Sequence, residues 1–206
     1  MKLILARHAE SMQFFNRIIS GPVGCQGLTE KGFVQAQALA ERFRGTGEMK
    51  DCRVLLSSPV QRTRQTAGIL AAALPGCTVE EDPGLCELLP GESDGMTKEE
   101  ARARYPSFDL LAYPDRKVAP GGESWLDFTG RVRAVMQGLA DRYEGQTVLA
   151  VTHAGFIVVS VLVLFDIPRP GTGAYLDPDF TGLTEWNYSA GKWQLGKYND
   201  CYHLRE

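Results

Sequence analysis

His8 follows directly on Arg7, and a second histidine, His153, sits in Val151-Thr152-His153-Ala154-Gly155. Together with Arg62 and Glu87, these residue types can carry phosphoryl transfer. A neutral imidazole is a good nucleophile near neutral pH. Arginines hold the non-bridging oxygens of a phosphoryl group through paired N–H bonds, and a carboxylic acid can protonate the leaving oxygen. Arg7 and Arg62 would also oppose protonation of His8. Charge-assisted bonds contribute roughly 1.5–3 kcal/mol each. Two arginines alone are too little for a reaction that needs acceleration of up to about 10²¹-fold. Further donors are required, and His153 is the candidate on position. Glu87, in a loop otherwise poor in charge, is the candidate general acid.

Each residue also has a commoner reading. A strand-end histidine is more often a hydrogen-bonded structural residue than a nucleophile. Arg62 and Arg64 lie in a segment with Gln61 and Gln65, so a solvated helix face explains either arginine. Glu87 alone reads as a surface carboxylate, and His153 can simply close a strand. What lifts the chemical reading is that all of them fall at the ends of expected strands.

Lys2 to Ala6 reads as a short buried strand ending at Arg7-His8. Thr29 can cap a helix whose buried face is Phe33, Ala36, Leu39, Ala40 and Phe43, with Gly45 and Gly47 stopping it. Val54 to Leu56 reads as a second strand, followed by the turn Ser57-Ser58-Pro59 and a helix from about Val60 to Leu74. Thr78 to Glu80 is a weak third strand. From Leu85 to Glu123 the chain is rich in Pro and Gly and reads as an excursion, with one short helix announced by Thr97-x-x-Glu100. Ser124 opens an amphipathic helix with Trp125, Phe128, Val132, Val135 and Leu139 on one stripe. Val148 to Val151 is a further strand ending at His153, with an apolar helix after it. Thr184-x-Trp186-x-Tyr188, the turn Ala190-Gly191 and Trp193-x-Leu195 read as a hairpin. Strands alternating with helices imply an α/β fold with a largely parallel sheet covered on both faces. In such sheets the ligand crevice lies beyond the carboxyl ends of the strands, which is where Arg7, His8, Arg62 and His153 would converge.

The 206 residues suit one domain spanning the whole chain, with the excursion at about 85–123 covering the active site. A net charge of -3 argues against nucleic acid or an anionic membrane as partner. Five scattered cysteines with no C-x-x-C pair read as reduced thiols of a cytoplasmic protein. The amino terminus does not read as a secretory signal, and the apolar run from Phe156 to Phe165 is shorter than the ~20 residues of a spanning helix.

Arg7-His8-Ala9-Glu10-Ser11 closely resembles the R-H-G-E-S/T signature of the histidine phosphatase superfamily, which includes the cofactor-dependent phosphoglycerate mutases. Ser57 to Ala67 resembles that family's second block, with Arg62 at its arginine. Leu28-Thr29-Glu30-x-Gly32 with Gln35-Ala36 matches the first-helix pattern. Leu85-x-Glu87 followed by Gly91 and Gly95 resembles the acid loop. Gly121-Gly122-Glu123-Ser124 and Val151 to Gly155 match the last blocks, and Asn199-Asp200-x-x-His203-Leu204 resembles a common ending. The resemblance covers nearly the whole chain. It implies a three-layer α/β/α sandwich around a mostly parallel mixed sheet, His8 as phosphohistidine, Glu87 as proton donor and acceptor, and Arg7, Arg62 and His153 as the phosphate pocket. No metal and no organic cofactor is implied.

Several positions depart from the pattern. Ala9 replaces a glycine, and Ser93-Asp94-Gly95 replaces an aromatic-acid-glycine. Gln26 stands where an aspartate is usual. The family's phosphate-contacting asparagine would fall near Phe14, and Asn16 is the asparagine available nearby. The function implied is a phosphohydrolase that removes phosphate from a small phosphorylated metabolite. A phosphoglycerate mutase is the alternative, and a non-catalytic phosphate-binding module a third. Mutases of this family carry a W-R-R type basic cluster in a longer excursion, whereas Lys98, Arg102, Arg104, Arg116 and Lys117 are dispersed.

Overall fold

The computed structural model describes residues 1–167 and 174–205, and of Phe14 the backbone. Six strands form one sheet in the order β3-β2-β4-β1-β5-β6: β1 (Lys2–Arg7), β2 (Cys52–Ser57), β3 (Val79–Glu81), β4 (Thr147–Thr152), β5 (Leu183–Ser189) and β6 (Lys192–Asp200). The first four are parallel. β5 and β6 form the antiparallel hairpin, paired to the rest along β1.

Side-chain alternation builds a core on each face. Leu3, Leu5, Val148 and Ala150 point one way, onto α5 (Trp125–Arg142) and α6 (Ala154–Leu164), where Phe128, Val132, Met136, Phe156 and Ile157 meet them. Ile4, Ala6, Leu149 and Val151 point the other way, onto Leu39, Ala40 and Phe43 of α2 (Glu30–Thr46) and Ala67 and Leu70 of α3 (Gln61–Ala71). The result is the three-layer α/β/α sandwich. Both faces are covered, so the central strands are apolar without interruption. Two short helices, α1 (Gln13–Asn16) and α4 (Lys98–Arg104), lie outside the layers. No helix among the described residues is long and apolar enough to cross a membrane.

The helix signals hold at Thr29, whose hydroxyl accepts from the Gly32 amide, and at Thr97 and Ser124, which both form complete capping boxes. Three details differ from expectation. Phe33 is 39 % exposed, because Gly32 is the residue that meets the body of the protein there. Gly45 lies inside the last turn of α2, and Gly47 ends it with a left-handed φ of 65°. The third helix stops at Ala71, three residues early.

Gly32 is a close approach of backbone to backbone: a β-carbon there would stand 2.1 Å from the Glu10 carbonyl oxygen. Gly68 in α3 faces open space. Urea unfolding should therefore separate two glycine-to-alanine changes. Gly32→Ala should destabilise by about 1–3 kcal/mol through overpacking, and Gly68→Ala should stabilise by roughly 0.5–1 kcal/mol through helix propensity.

Candidate active site

Strands β1, β2 and β4 run parallel, so their carboxyl ends share one edge. The register pairs Arg7 with Thr152, which makes His8 and His153 neighbours. Their rings lie edge to face with centroids 5.3 Å apart. Arg62 enters from the first turn of α3, immediately after the β2 end. The arginine-rich segment resolves cleanly: Arg62 is 2 % exposed, whereas Arg64 is exposed and pairs with Glu81 at 3.6 Å.

Hydrogen bonds assign both imidazole tautomers. His8 Nδ1 lies 2.7 Å from the Ala9 carbonyl oxygen, which can only accept, so Nδ1 carries the proton and Nε2 a lone pair. Arg62 Nε donates to that lone pair at 3.0 Å. Arg62 Nη2 donates to His153 Nδ1 at 2.9 Å, and His153 Nε2–H donates to Ser58 Oγ at 2.9 Å. Arg62 Nη1 donates to the Ser20 carbonyl at 2.8 Å. Burial, with the Arg62 charge second, holds both His8 and His153 well below the ordinary histidine range. Both are neutral at pH 7.

His8, Arg7, Arg62 and Glu87 line a cavity of about 210 Å³ together with Gln13, Ile19, Ser20 and Gly21. Arg7 is buried. Its Nη1 donates to the Pro178 carbonyl, its guanidinium carbon lies 4.1 Å from the Phe180 ring centre, and its Nε has no hydrogen-bond partner. A buried donor without an acceptor is costly, and an anion in the cavity would supply one. Glu87 reaches across to α6, where its carboxylate accepts from Gly155 N–H at 2.9 Å. Gly155 permits that approach, since a β-carbon there would lie 2.1 Å from Glu87 Oε1. His153 is behind the cavity wall, touching Arg62 and not lining the space itself.

Asn16 is not brought to the site. It is exposed, and its amide donates to Gln26 Oε1. The unusual Gln26 is thus the partner that holds Asn16 away from the cavity, and Gln13, one turn earlier in the chain, lines the cavity instead.

Several supporting residues were not assigned a role from the sequence. Asp94 accepts amide N–H bonds from Gly21, Val23 and Gly24, fixing the loop whose Ser20 carbonyl receives Arg62. Arg131 makes a bidentate pair with Glu123 at 2.7 Å and donates to the carbonyls of Gly84, Cys86 and Glu87, holding the acid loop. Thr66 accepts the Ala9 amide at 3.1 Å, which ties the threonine of the second block to the first. Among the described residues, no group of three or more His, Cys, Asp or Glu is placed to hold a metal ion.

Comparison with known proteins identifies a family. The family model for the histidine phosphatase superfamily (branch 1) matches residues 3–201. The chain is 34% identical over 162 residues to phosphoserine phosphatase 1 of Hydrogenobacter thermophilus, covering 74% of this chain and 71% of that one. It is 28% identical over 209 residues to phosphoglycerate mutase-like protein 4 of Arabidopsis thaliana, covering 100% of this chain and 87% of the relative. Among solved structures, Bacillus stearothermophilus YhfR superposes with a TM-score of 0.84 at 25% identity, covering 99% of each chain.

The third histidine, His203, is also pushed down by burial, to about 4. Ring-nitrogen NMR should therefore show all three histidines neutral from about pH 7.5 to about pH 5.5, where free histidine titrates near 6.5. The native state then binds fewer protons than the unfolded state over this range, so stability should fall on acidification through about pH 6.5. A native histidine titrating near 6.5 would contradict the assignment for that ring.

Proposed function

Because this chain belongs to branch 1 of the histidine phosphatase superfamily, we propose that it removes phosphate from a small phosphorylated metabolite in two displacements at His8. The observation that carries this reading is the His8 ring itself. Its proton is committed to the Ala9 carbonyl, and the Nε2 lone pair stands in an arginine-lined cavity.

In the first step the Nε2 lone pair attacks phosphorus and the ester P–O bond breaks. Protonated Glu87 gives its proton to the leaving oxygen, so the departing group leaves as a neutral alcohol. Arg62 shifts from the Nε2 lone pair to the phosphoryl oxygens, joined by Arg7, and stabilises the charge on them. His153 keeps Arg62 in place by accepting from it. In the second step the Glu87 carboxylate takes a proton from water as that water attacks phosphorus. The P–N bond breaks, its electron pair returns to Nε2, and inorganic phosphate leaves. No step calls for a metal or an organic cofactor, and with both cores built on one six-stranded sheet we read the chain as a single domain. The scattered free thiols fit a cytoplasmic setting.

Hydrolysis is favoured over a mutase because the basic residues of the excursion are dispersed and three of the five are occupied. Arg116 stacks 4.1 Å over Phe108, Lys117 pairs with Asp127 at 3.7 Å, and Arg104 with Glu92 at 3.6 Å. None of the five basic residues lines the cavity itself, where it could retain a dephosphorylated acid for a return transfer. The names of the relatives point to small phosphorylated acids as the substrate class.

His8→Ala should abolish turnover. Glu87→Gln should slow single-turnover cleavage of alkyl phosphates by about 10²–10⁴-fold and spare p-nitrophenyl phosphate, whose leaving oxygen departs without protonation. Arg62→Ala should slow both esters comparably, by about 10²–10³-fold, since it acts on oxygens common to both. Equal losses for both esters in Glu87→Gln would remove Glu87 from the acid role. Activity should survive dialysis against EDTA, and loss restored by a divalent cation would overturn the metal-independent scheme.

A further inference from the structure

Arg7 is gripped by one turn, residues 177–182. Its backbone N–H donates to the Gly182 carbonyl at 3.2 Å, and its carbonyl accepts from Thr181 N–H at 3.1 Å. Its Nη1 donates to the Pro178 carbonyl and lies 3.9 Å from Asp177 Oδ1. The Phe180 ring covers the guanidinium at 4.1 Å and also leans on His8, centroid to centroid 5.9 Å. One aromatic ring therefore touches both groups proposed to meet the phosphoryl oxygens and phosphorus.

The turn is itself anchored by the last residues of the chain, a motif that the proposed chemistry does not use. Asn199 accepts from Asp179 N–H at 2.8 Å and donates to the Asp179 carboxylate at 2.9 Å. Thr181 Oγ donates to the Phe180 carbonyl at 2.6 Å, so the 2.8 Å contact with His203 Nε2 is donated by the histidine. Thr181 sits in the left-handed region with φ of 57° and is fully buried. A β-branched residue persists there only where its surroundings over-determine it. His203 on its hydroxyl and Arg7 on its amide are those surroundings, with Asn199 fixing the turn two residues earlier.

We propose that Phe180 is a positioning residue for the phosphate pocket, and that the Asn199–His203 segment is the anchor that holds the turn carrying it. The proposal rests on Arg7 receiving phosphate in the scheme above. A guanidinium stacked on a ring face keeps its plane, and its free N–H edge, in one orientation before the anion arrives. An arginine without that support would lose rotamer freedom on binding, and affinity with it.

Calorimetric titration with inorganic phosphate, alongside KM and kcat, tests this on the full chain. Phe180→Leu should weaken phosphate and raise KM about tenfold each, about 1.4 kcal/mol, with a smaller change in kcat. Phe180→Tyr, which keeps the ring face, should bind phosphate as the wild type does. Asn199→Ala should weaken phosphate in the same direction as Phe180→Leu. Phosphate affinity unchanged in Phe180→Leu, or lost equally in Phe180→Tyr, would overturn the proposal, as would an Asn199→Ala variant that loses thermal stability alone. Wild-type protein that binds phosphate but turns over no ester would instead overturn the hydrolase reading and leave the positioning role standing. Wild-type protein that binds no phosphate would overturn both.

Discussion

A buried arginine shared between two imidazoles organises this molecule. Arg62 is 2 % exposed and gives one N–H to His8, one to His153 and one to the Ser20 carbonyl, and no carboxylate pairs with it among the described residues. A buried cation without an anion is expensive, and the rest of the site can be understood as the consequence. Both rings must be neutral to accept from it. The Ser20 loop must be tied down, which Asp94 does through three amides. The cavity that remains has a cationic wall and room for an acceptor, so a phosphoryl group completes the hydrogen bonding instead of disrupting it.

The fold delivers this arrangement cheaply. Parallel pairing of β1, β2 and β4 fixes three strand ends on one edge, with His8 N–H donating to the Thr152 carbonyl at 2.9 Å. The site thus sits on the stiffest part of the sheet, between two close-packed cores. The acid comes from the excursion and is mobile by comparison in chemistry: Glu87 must exchange a proton with two different oxygens. Its backbone is nonetheless clamped by Arg131 and its carboxylate by the α6 amino terminus. An acid loop held from outside its own sequence can be exact in position while remaining open to substrate.

How much of this was legible in the sequence follows the range of the interactions involved. Strand ends and helix caps are local, and Thr29, Thr97 and Ser124 act as their spacing implies. Four of the proposed site residues, Arg7, His8, Arg62 and Glu87, line one cavity for the same reason: each lies at a strand end or in the connection after one. His153 was expected in the phosphate pocket and instead stands behind the cavity wall, touching Arg62. Asn16 misled because its position in the motif does not register its bond to Gln26, which faces it away from the cavity. Asp94, Arg131 and Ser58 act across 44 to 95 positions, and residue type alone does not announce such partners. Arg62 and Arg64 make the point most clearly, since two arginines on one helix separate only when burial is known.

The chemistry at this site turns on which atom attacks. His8 Nδ1 is closed off by its bond to the Ala9 carbonyl, which leaves Nε2 as the nucleophilic nitrogen. The direct measurement is to quench ring-¹⁵N-labelled enzyme in base during turnover and locate phosphorus by ³¹P–¹⁵N coupling. The account predicts a single phosphoramidate on Nε2 of His8. Phosphorus on Nδ1 of His8, on His153, or on no side chain at all would contradict it.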